Sequence, residues 1–363
     1  MNRAFLLGIA EEERKRNILR INRRRLRDAS NPLEMPEREF IAQFRLSKSG
    51  FFQILDEIKI HLLVTRRKTA IPTELKILAA LSFYASGSYQ RNVGASSLFN
   101  MSQPSFSRCL QEVTNALNIE QVLLKYIKFP FSRREREVIM KEFMEKFGFP
   151  GVIGCIDGTH VALIRPKDHE EVYLNRKNYH SLNVLIICDA TLNILYVDAS
   201  FGGASHDSYV WNQCPIKSYL ESLDRNGERC WLLGDSGYAQ RPFMMTPILG
   251  AASESPEEHY TNLHCRVRNT VERCIGVLKA RWRCLLAHRV LHYDPVTAGR
   301  IVNACIVLHN IANMQNVPMP ELQVDDTNRE LQMQDFREHS RIEAIPDSTR
   351  ETLVARLWNA RRI

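Results

Sequence analysis

At Gly148 the spacing of apolar residues changes, and that change limits the folds open to the chain. Before it, apolar side chains recur every three or four positions, as in Phe40, Phe44, Phe51, Leu55 and Ile58. That spacing belongs to helices with one buried face. From Val152 onward the pattern becomes short runs rich in Val, Ile and Leu: VIGCID, HVALIRP, LNVLIICDA, NILYVDASF and WLLGD. With helices expected at 206–223 and 262–286, these runs read as the strands of an α/β unit. The 363 residues then divide into a basic arm (1–32), a helical domain (33–148), an α/β domain (149–313) and a tail (314–363). The tail ends in an amphipathic helix, ETLVARLWNARRI, suited to dock on the core or on a partner.

Within the helical part, Pro72 opens a helix that Gly87 ends, and a short segment follows from Val93 to Phe99. Ser102 is the expected N-cap of a longer helix with an apolar face of Phe106, Leu110, Val113 and Leu117. A short helix, a turn and a longer helix is the layout of a helix-turn-helix. Gln103, Ser105 and Arg108, at its start, are the candidates for DNA contact.

Charge is distributed unevenly. The formal net charge is +8, yet residues 148–259 carry eight basic and fourteen acidic side chains, a net of −6. Residues 260–300 follow at once with eight basic and two acidic, a net of +6. Residues 1–30 hold nine basic and four acidic, a net of +5, in an Arg-rich arm suited to nucleic acid or to nuclear import. An acidic block before a basic one fits a carboxylate-lined metal site beside a phosphate-binding surface. Other classes are disfavoured. No apolar run reaches the ~18 residues of a membrane span. The N-terminus turns acidic too soon for a secretory signal. The nine cysteines form no C-x-x-C pair, which argues against a zinc ribbon. No G-x-S-x-G elbow supports a serine nucleophile.

Three acids stand where chemistry would use them. Asp157 is expected to end the first strand in GVIGCIDGTH, and Asp235 a later one in WLLGDSGY. Glu272 lies in the basic helix, on a polar stripe with Arg268, Gly276, Lys279 and Arg283. Two strand-end carboxylates and one helical carboxylate can converge on hard divalent cations such as Mg²⁺. Two such ions straddling a phosphodiester activate the attacking oxygen and stabilise the leaving one, while the cations of the stripe hold phosphates. A plain Arg268–Glu272 helix pair is the simpler account of Glu272 alone. Asp207 reads as a helix N-cap or first-turn acid that supports the site from behind. Asp189, ending LNVLIICDA, is expected near Asp157 on a neighbouring strand. His160 and His206 are candidates to orient a carboxylate or touch phosphate.

The motifs CIDGTH, GGASHDSYVW, LLGDSGY and YTNLHCRVRNTVERCIGVLKARWRCL occur in this order. They resemble the nuclease domain of PIF/Harbinger DDE transposases and their domesticated nuclease relatives. The resemblance runs from about Leu33 to Asn313 and includes VLHNI at 307–311. It implies an RNase H-like fold and metal-dependent cleavage and joining of DNA at transposon ends, with Mg²⁺ or Mn²⁺ as cofactor. It maps the acidic triad onto Asp157, Asp235 and Glu272, and an R-x3-E-x6-K pattern onto Arg268, Glu272 and Lys279. In bacterial relatives a Tyr commonly precedes that Arg by three positions. Here Cys265 stands there, with His264 adjacent and Tyr260 upstream. The resemblance further implies a homo-oligomer, a Myb-like DNA-binding partner and a place in the nucleus. Two alternatives stay open: a domesticated nuclease or DNA- or partner-binding protein without transposition, and a general metal phosphohydrolase.

Overall fold

The computed structural model describes residues 3–63, 70–319 and 348–361. The Arg-rich arm forms one long exposed helix, α1 (Arg3–Asp28). The helical layer comprises α2 (Glu37–Phe44), α3 (Lys48–Ile58), α4 (Thr73–Ser86), α5 (Gln90–Ala95), α6 (Gln103–Leu117), α7 (Glu120–Tyr126) and α8 (Arg133–Phe147). Local chemistry sets its boundaries. Ser102 caps α6 by accepting from the Ser105 amide, and Ser132 with Glu135 forms a capping box on α8. Gly87 and Gly148 end α4 and α8 in the left-handed conformation. The short segment expected at 93–99 is α5, shifted to begin at Gln90 and to end at Ala95. The chain turns there as the Met101 amide donates to the Gly94 carbonyl.

Beyond Gly148 comes a mixed sheet of β1 (Val152–Ala162), β2 (Ser181–Cys188), β3 (Ile194–Gly202), β4 (Trp231–Leu233) and β5 (Met244–Met245), in the order β3-β2-β1-β4-β5. The first three strands are antiparallel neighbours, whereas β1, β4 and β5 run parallel. Two runs read separately, VIGCID and HVALIRP, are the one strand β1. Asp157 therefore lies in mid-strand, paired with Ile186, and not at a strand end. The helix expected at 206–223 is broken at Pro215 into α10 (Asp207–Gln213) and α11 (Pro215–Arg225), after the single short turn α9 (Glu170–Tyr173). The basic helix is α12 (Pro256–Arg281), which starts six residues earlier than expected and stops before Arg283.

The sheet separates two cores. One face packs α10 and α11 through Val210, Trp211, Ile216 and Leu220. The other packs α12 and α13 (Pro295–Met314) in a cluster that continues without a break into the helical layer, through Phe40, Tyr84, Phe106 and Trp282. Gly148 thus marks a change of secondary structure inside a shared core. The terminal helix α14 (Ser348–Ala360) buries Leu353, Val354 and Leu357 and sets Trp358 edge-on to His259 of α12. It docks on this chain's own core. The rest of the tail, 320–347, lies outside the described residues.

The polar members of VLHNI hold α13 to the sheet. Asn310 donates to the Ile194 and Tyr126 carbonyls at 2.8 Å and accepts from the Ile194 amide at 2.9 Å. Its side chain therefore serves the start of edge strand β3 as a neighbouring strand would. A ring nitrogen of His309 pairs with the Leu192 carbonyl at 2.9 Å. Replacing Asn310 by Leu leaves three buried backbone groups without these bonds, at about 1–3 kcal/mol each. We predict that Asn310→Leu destabilises the fold by about 3 kcal/mol or more, measured by denaturant unfolding.

Candidate active site

Asp157 and Asp235 come together through strand register. Cys155 and Leu233 are partners in the parallel pair β1–β4. Two residues further along each chain stand Asp157, still in β1, and Asp235, just past the end of β4, and two residues along β1 keep Asp157 on the face of Cys155. That face is the one α12 covers. Asp157 is 1% exposed, and its Oδ1 accepts from the Gly158 amide at 3.0 Å. Its Oδ2 accepts from Arg268 Nη2 at 3.2 Å, while Arg268 Nη1 donates to Glu272 Oε1 at 2.8 Å. One guanidinium therefore bridges the strand acid and the helix acid. Asp235 accepts from the Gly237 amide at 3.0 Å, which closes the turn after β4.

The Arg268 pKa is the outcome of opposed effects. Burial is the largest and lowers it, but Asp157, Glu272 and Asp235 together raise it above the ordinary value. All three acids of the expected triad thus act on this one cation. Among the described residues, no three His, Cys, Asp or Glu side chains are grouped closely enough to hold a metal ion. What the structure brings together is a set of carboxylates around a guanidinium.

A fourth acid stands at the same strand. Asp207, the first residue of α10, lies against Gly158, where an added Cβ would sit 2.1 Å from its Oδ1. Asn183 of β2 donates to that oxygen at 2.7 Å and to the Ser205 carbonyl at 2.9 Å. Gly158 is therefore needed for close approach. Tyr238 completes the surroundings. Its ring packs on Gly234, and its buried hydroxyl has no hydrogen-bond partner among the described residues. Burial, and then Asp207, Asp157 and Asp235, push its pKa well above the ordinary tyrosine value.

Other expectations change. Asp189 follows β2 at the far end, beyond the Cys155–Cys188 pair, and its carboxylate is used by Thr191 and Asn193 in the turn to β3. It does not join Asp157, because β2 runs antiparallel to β1. Lys279 is 4% exposed and donates to the His160 carbonyl at 3.1 Å, so it lies inside the molecule, not on an open phosphate track. Arg283 falls beyond the end of α12, in a 3-10 turn whose backbone packs on Gly87, and so leaves the stripe. His160 shares a hydrogen bond with Ser181 at 3.0 Å. His206 meets Arg176 at 2.6 Å. Gln103 and Arg108 stand at the start of α6, distant in sequence from the acids, with Gln103 donating to Gln90 at 2.9 Å. His264 and Tyr260 bond the Met245 and Thr246 carbonyls, and Cys265, three positions before Arg268, is exposed. Sequence reasoning missed Asn183 and Tyr238. The bulky ring in GDSGY was the available signal for Tyr238, and nothing in the residue pattern marked Asn183.

This geometry has measurable consequences for stability. Gly158→Ala displaces Asp207 and costs about 1–3 kcal/mol, read as a lower Tm. Burial, with Lys279 and Lys177, holds the His160 pKa at about 4, and burial, opposed by the Met245 bond, holds that of His264 at about 4. Both are neutral in the fold, whereas in the unfolded chain they protonate near 6.5. Stability is therefore complete above about pH 6.5 and falls as pH drops toward 4, each histidine costing up to about 1.4 kcal/mol for every pH step of one across that window. Melting curves at pH 7 and pH 5 measure this, and replacing both histidines by Gln flattens the dependence.

Comparison with known proteins agrees with the motifs. Residues 156–310 match the family model described as DDE superfamily endonuclease. The chain is 38% identical over 251 residues to HARBI1 of Xenopus laevis, whose name describes a nuclease, covering 68% of this chain and 70% of that one. Human HARBI1 is 37% identical over 250 residues, covering 68% and 69%. A protein named ALP1-like from Arabidopsis thaliana is 24% identical over 264 residues, covering 69% and 62%. No solved structure matches the chain. The chain thus belongs to the family of Harbinger-type DDE transposases and their domesticated derivatives.

Proposed function

We propose that the chain is a divalent-metal-dependent DNA nuclease in which Asp157, Asp235 and Glu272 carry the metal. The observation that supports this most is the shared cation: Arg268 contacts Asp157 and Glu272 and feels Asp235. A buried carboxylate needs positive charge beside it. The available donors are carboxylate oxygens, the ligands that Mg²⁺ and Mn²⁺ prefer, so the donor set suits such an ion in the place Arg268 now fills between Asp157 and Glu272. When bound, two such ions would activate the attacking oxygen and stabilise the leaving one. Asp157 and Asp235 would hold the ions from the sheet, and Glu272, 41% exposed on its side chain, from the open side of α12. Asp207, held by Asn183, is positioned to support Asp157 across β1. Arg268 would turn from the acids to a DNA phosphate, for which its bidentate fork is suited. The strand order β3-β2-β1-β4-β5, with three antiparallel and then two parallel strands, supports an RNase H-like reading. The consecutive helices α5 and α6 support a helix-turn-helix with Gln103 and Arg108 facing DNA. Assembly as a homo-oligomer with a Myb-like partner in the nucleus belongs to the same reading.

Asp157→Asn keeps side-chain size while removing the charge. With Mg²⁺ and transposon-end DNA, we predict cleavage to fall roughly 10³-fold or more while the fold is retained. Unchanged cleavage would rule out the assignment. Arg268→Met takes away the cation that bridges Asp157 and Glu272. We predict a loss of about 3–5 kcal/mol, part of which added Mn²⁺ restores, and restores more than it adds to the wild type. Thermal unfolding with and without Mn²⁺ measures both effects.

The relatives' names describe a nuclease and not a transposase, which leaves a second reading, a domesticated host nuclease without transposition. Terminal inverted repeats flanking the gene would identify an active element, and a single locus without them a host protein.

A further inference from the structure

A cavity of about 490 Å³ lies between the starts of α5 and α6 and the loop that leads from α12 to α13. That volume suits one small ligand and not a duplex. Its lining includes Tyr89, Gln90, Arg91, Gln103, Arg289 and His292, and among the described residues no Asp or Glu lines it. Tyr89 is 67% exposed, and its ring meets that of His292 edge-to-face at 5.5 Å between centroids. Two aromatic rings at an open mouth offer π-faces to a flat partner. Two guanidinium groups without an acid among the lining call for an anion, and phosphate matches their fork. Arg289 Nε is buried and has no hydrogen-bond partner among the described residues. At the rim Gln103 donates to Gln90 at 2.9 Å, and further in Gln90 donates to the Tyr293 hydroxyl at 2.6 Å. Side-chain amides in such a chain can exchange their bonds for those of a base edge. An acidic peptide would use the cations and leave the stacking mouth and the amides idle.

The loop is also tied to the strand of the candidate active site. The Leu291 amide donates to the Ala162 carbonyl at 2.9 Å, and the Ile164 amide to the Leu291 carbonyl at 3.0 Å. Ala162 follows Asp157 by five residues on β1, about 17 Å along an extended strand. A duplex advances about five base pairs over that distance. A DNA molecule bound at the acids is long enough to span that separation.

We propose that this cavity takes one unpaired nucleotide of the bound DNA, its base beside Tyr89 and His292 and its phosphate on Arg91 and Arg289. This rests on the reading that the chain acts on DNA. The test uses the full chain carrying Asp157→Asn, so that no strand is cut. Two duplexes are compared, one fully paired and one with a single bulged 2-aminopurine. The bulged duplex should bind at least about tenfold tighter, with fluorescence quenched as the base stacks. Tyr89→Ala should remove the preference and the quench while leaving affinity for the paired duplex and Tm unchanged, and Tyr89→Phe should keep both. Arg289→Gln should weaken binding of the bulged duplex selectively. Binding to both duplexes without preference overturns the proposal alone. No binding to any DNA overturns the DNA reading and the proposal with it. Free deoxyadenosine monophosphate that displaces the bulged duplex at equal concentration would assign the cavity to a free nucleotide instead, and overturn the strand-bound form.

Discussion

A carboxylate buried in mid-strand of a sheet is costly unless a counter-charge or hydrogen bonds compensate it. At Asp157 that counter-charge is Arg268, and the arrangement of the site follows from the pairing. The guanidinium reaches Asp157 because α12 lies across β1, and it reaches Glu272 because the two are one helical turn apart on the same face. Asp235 joins them because β4 is parallel to β1 and in register. Removing Arg268 would leave Asp157 and Glu272 without their shared counter-charge and with Asp235 nearby, a repulsion that another cation or a proton would relieve.

The acids themselves were legible in the sequence, since small residues follow Asp157 and Asp235 and a cationic stripe surrounds Glu272. Their setting was not. A run of alternating residues cannot show that VIGCID and HVALIRP join into one strand, because Gly158 between them reads as a turn. It is there to admit Asp207, and that contact is long-range. Lys279 and Arg283 show the limit of periodicity. Helical spacing fixes a face, but what covers that face depends on tertiary packing. Lys279 meets the His160 carbonyl, and Arg283 lies past the last turn of the helix. Asp189 sits at the end of β2 away from Asp157 because β2 runs antiparallel to β1, a direction that composition does not record.

The change of pattern at Gly148 was equally plain, yet it does not divide the core. Residues from the helical layer and from the α/β part share one apolar cluster. The VLHNI segment shows how the two are joined: its apolar residues face the cluster, while His309 and Asn310 satisfy the turn and edge strand beside it. Sequence pattern reports which residues are buried more readily than which partner buries them.

Helix α12 passes from one part to the other in a single rigid piece. Trp282, at its C-cap, is wedged edge-on against Tyr84 of the helical layer, with 6.5 Å between ring centroids. Glu272 sits ten residues earlier on the same rod, about 15 Å away. An α-helix of this length does not compress. The proposed metal-holding carboxylate and the layer that would touch DNA are therefore fixed to one strut, less than three turns apart, and a displacement of one is delivered to the other.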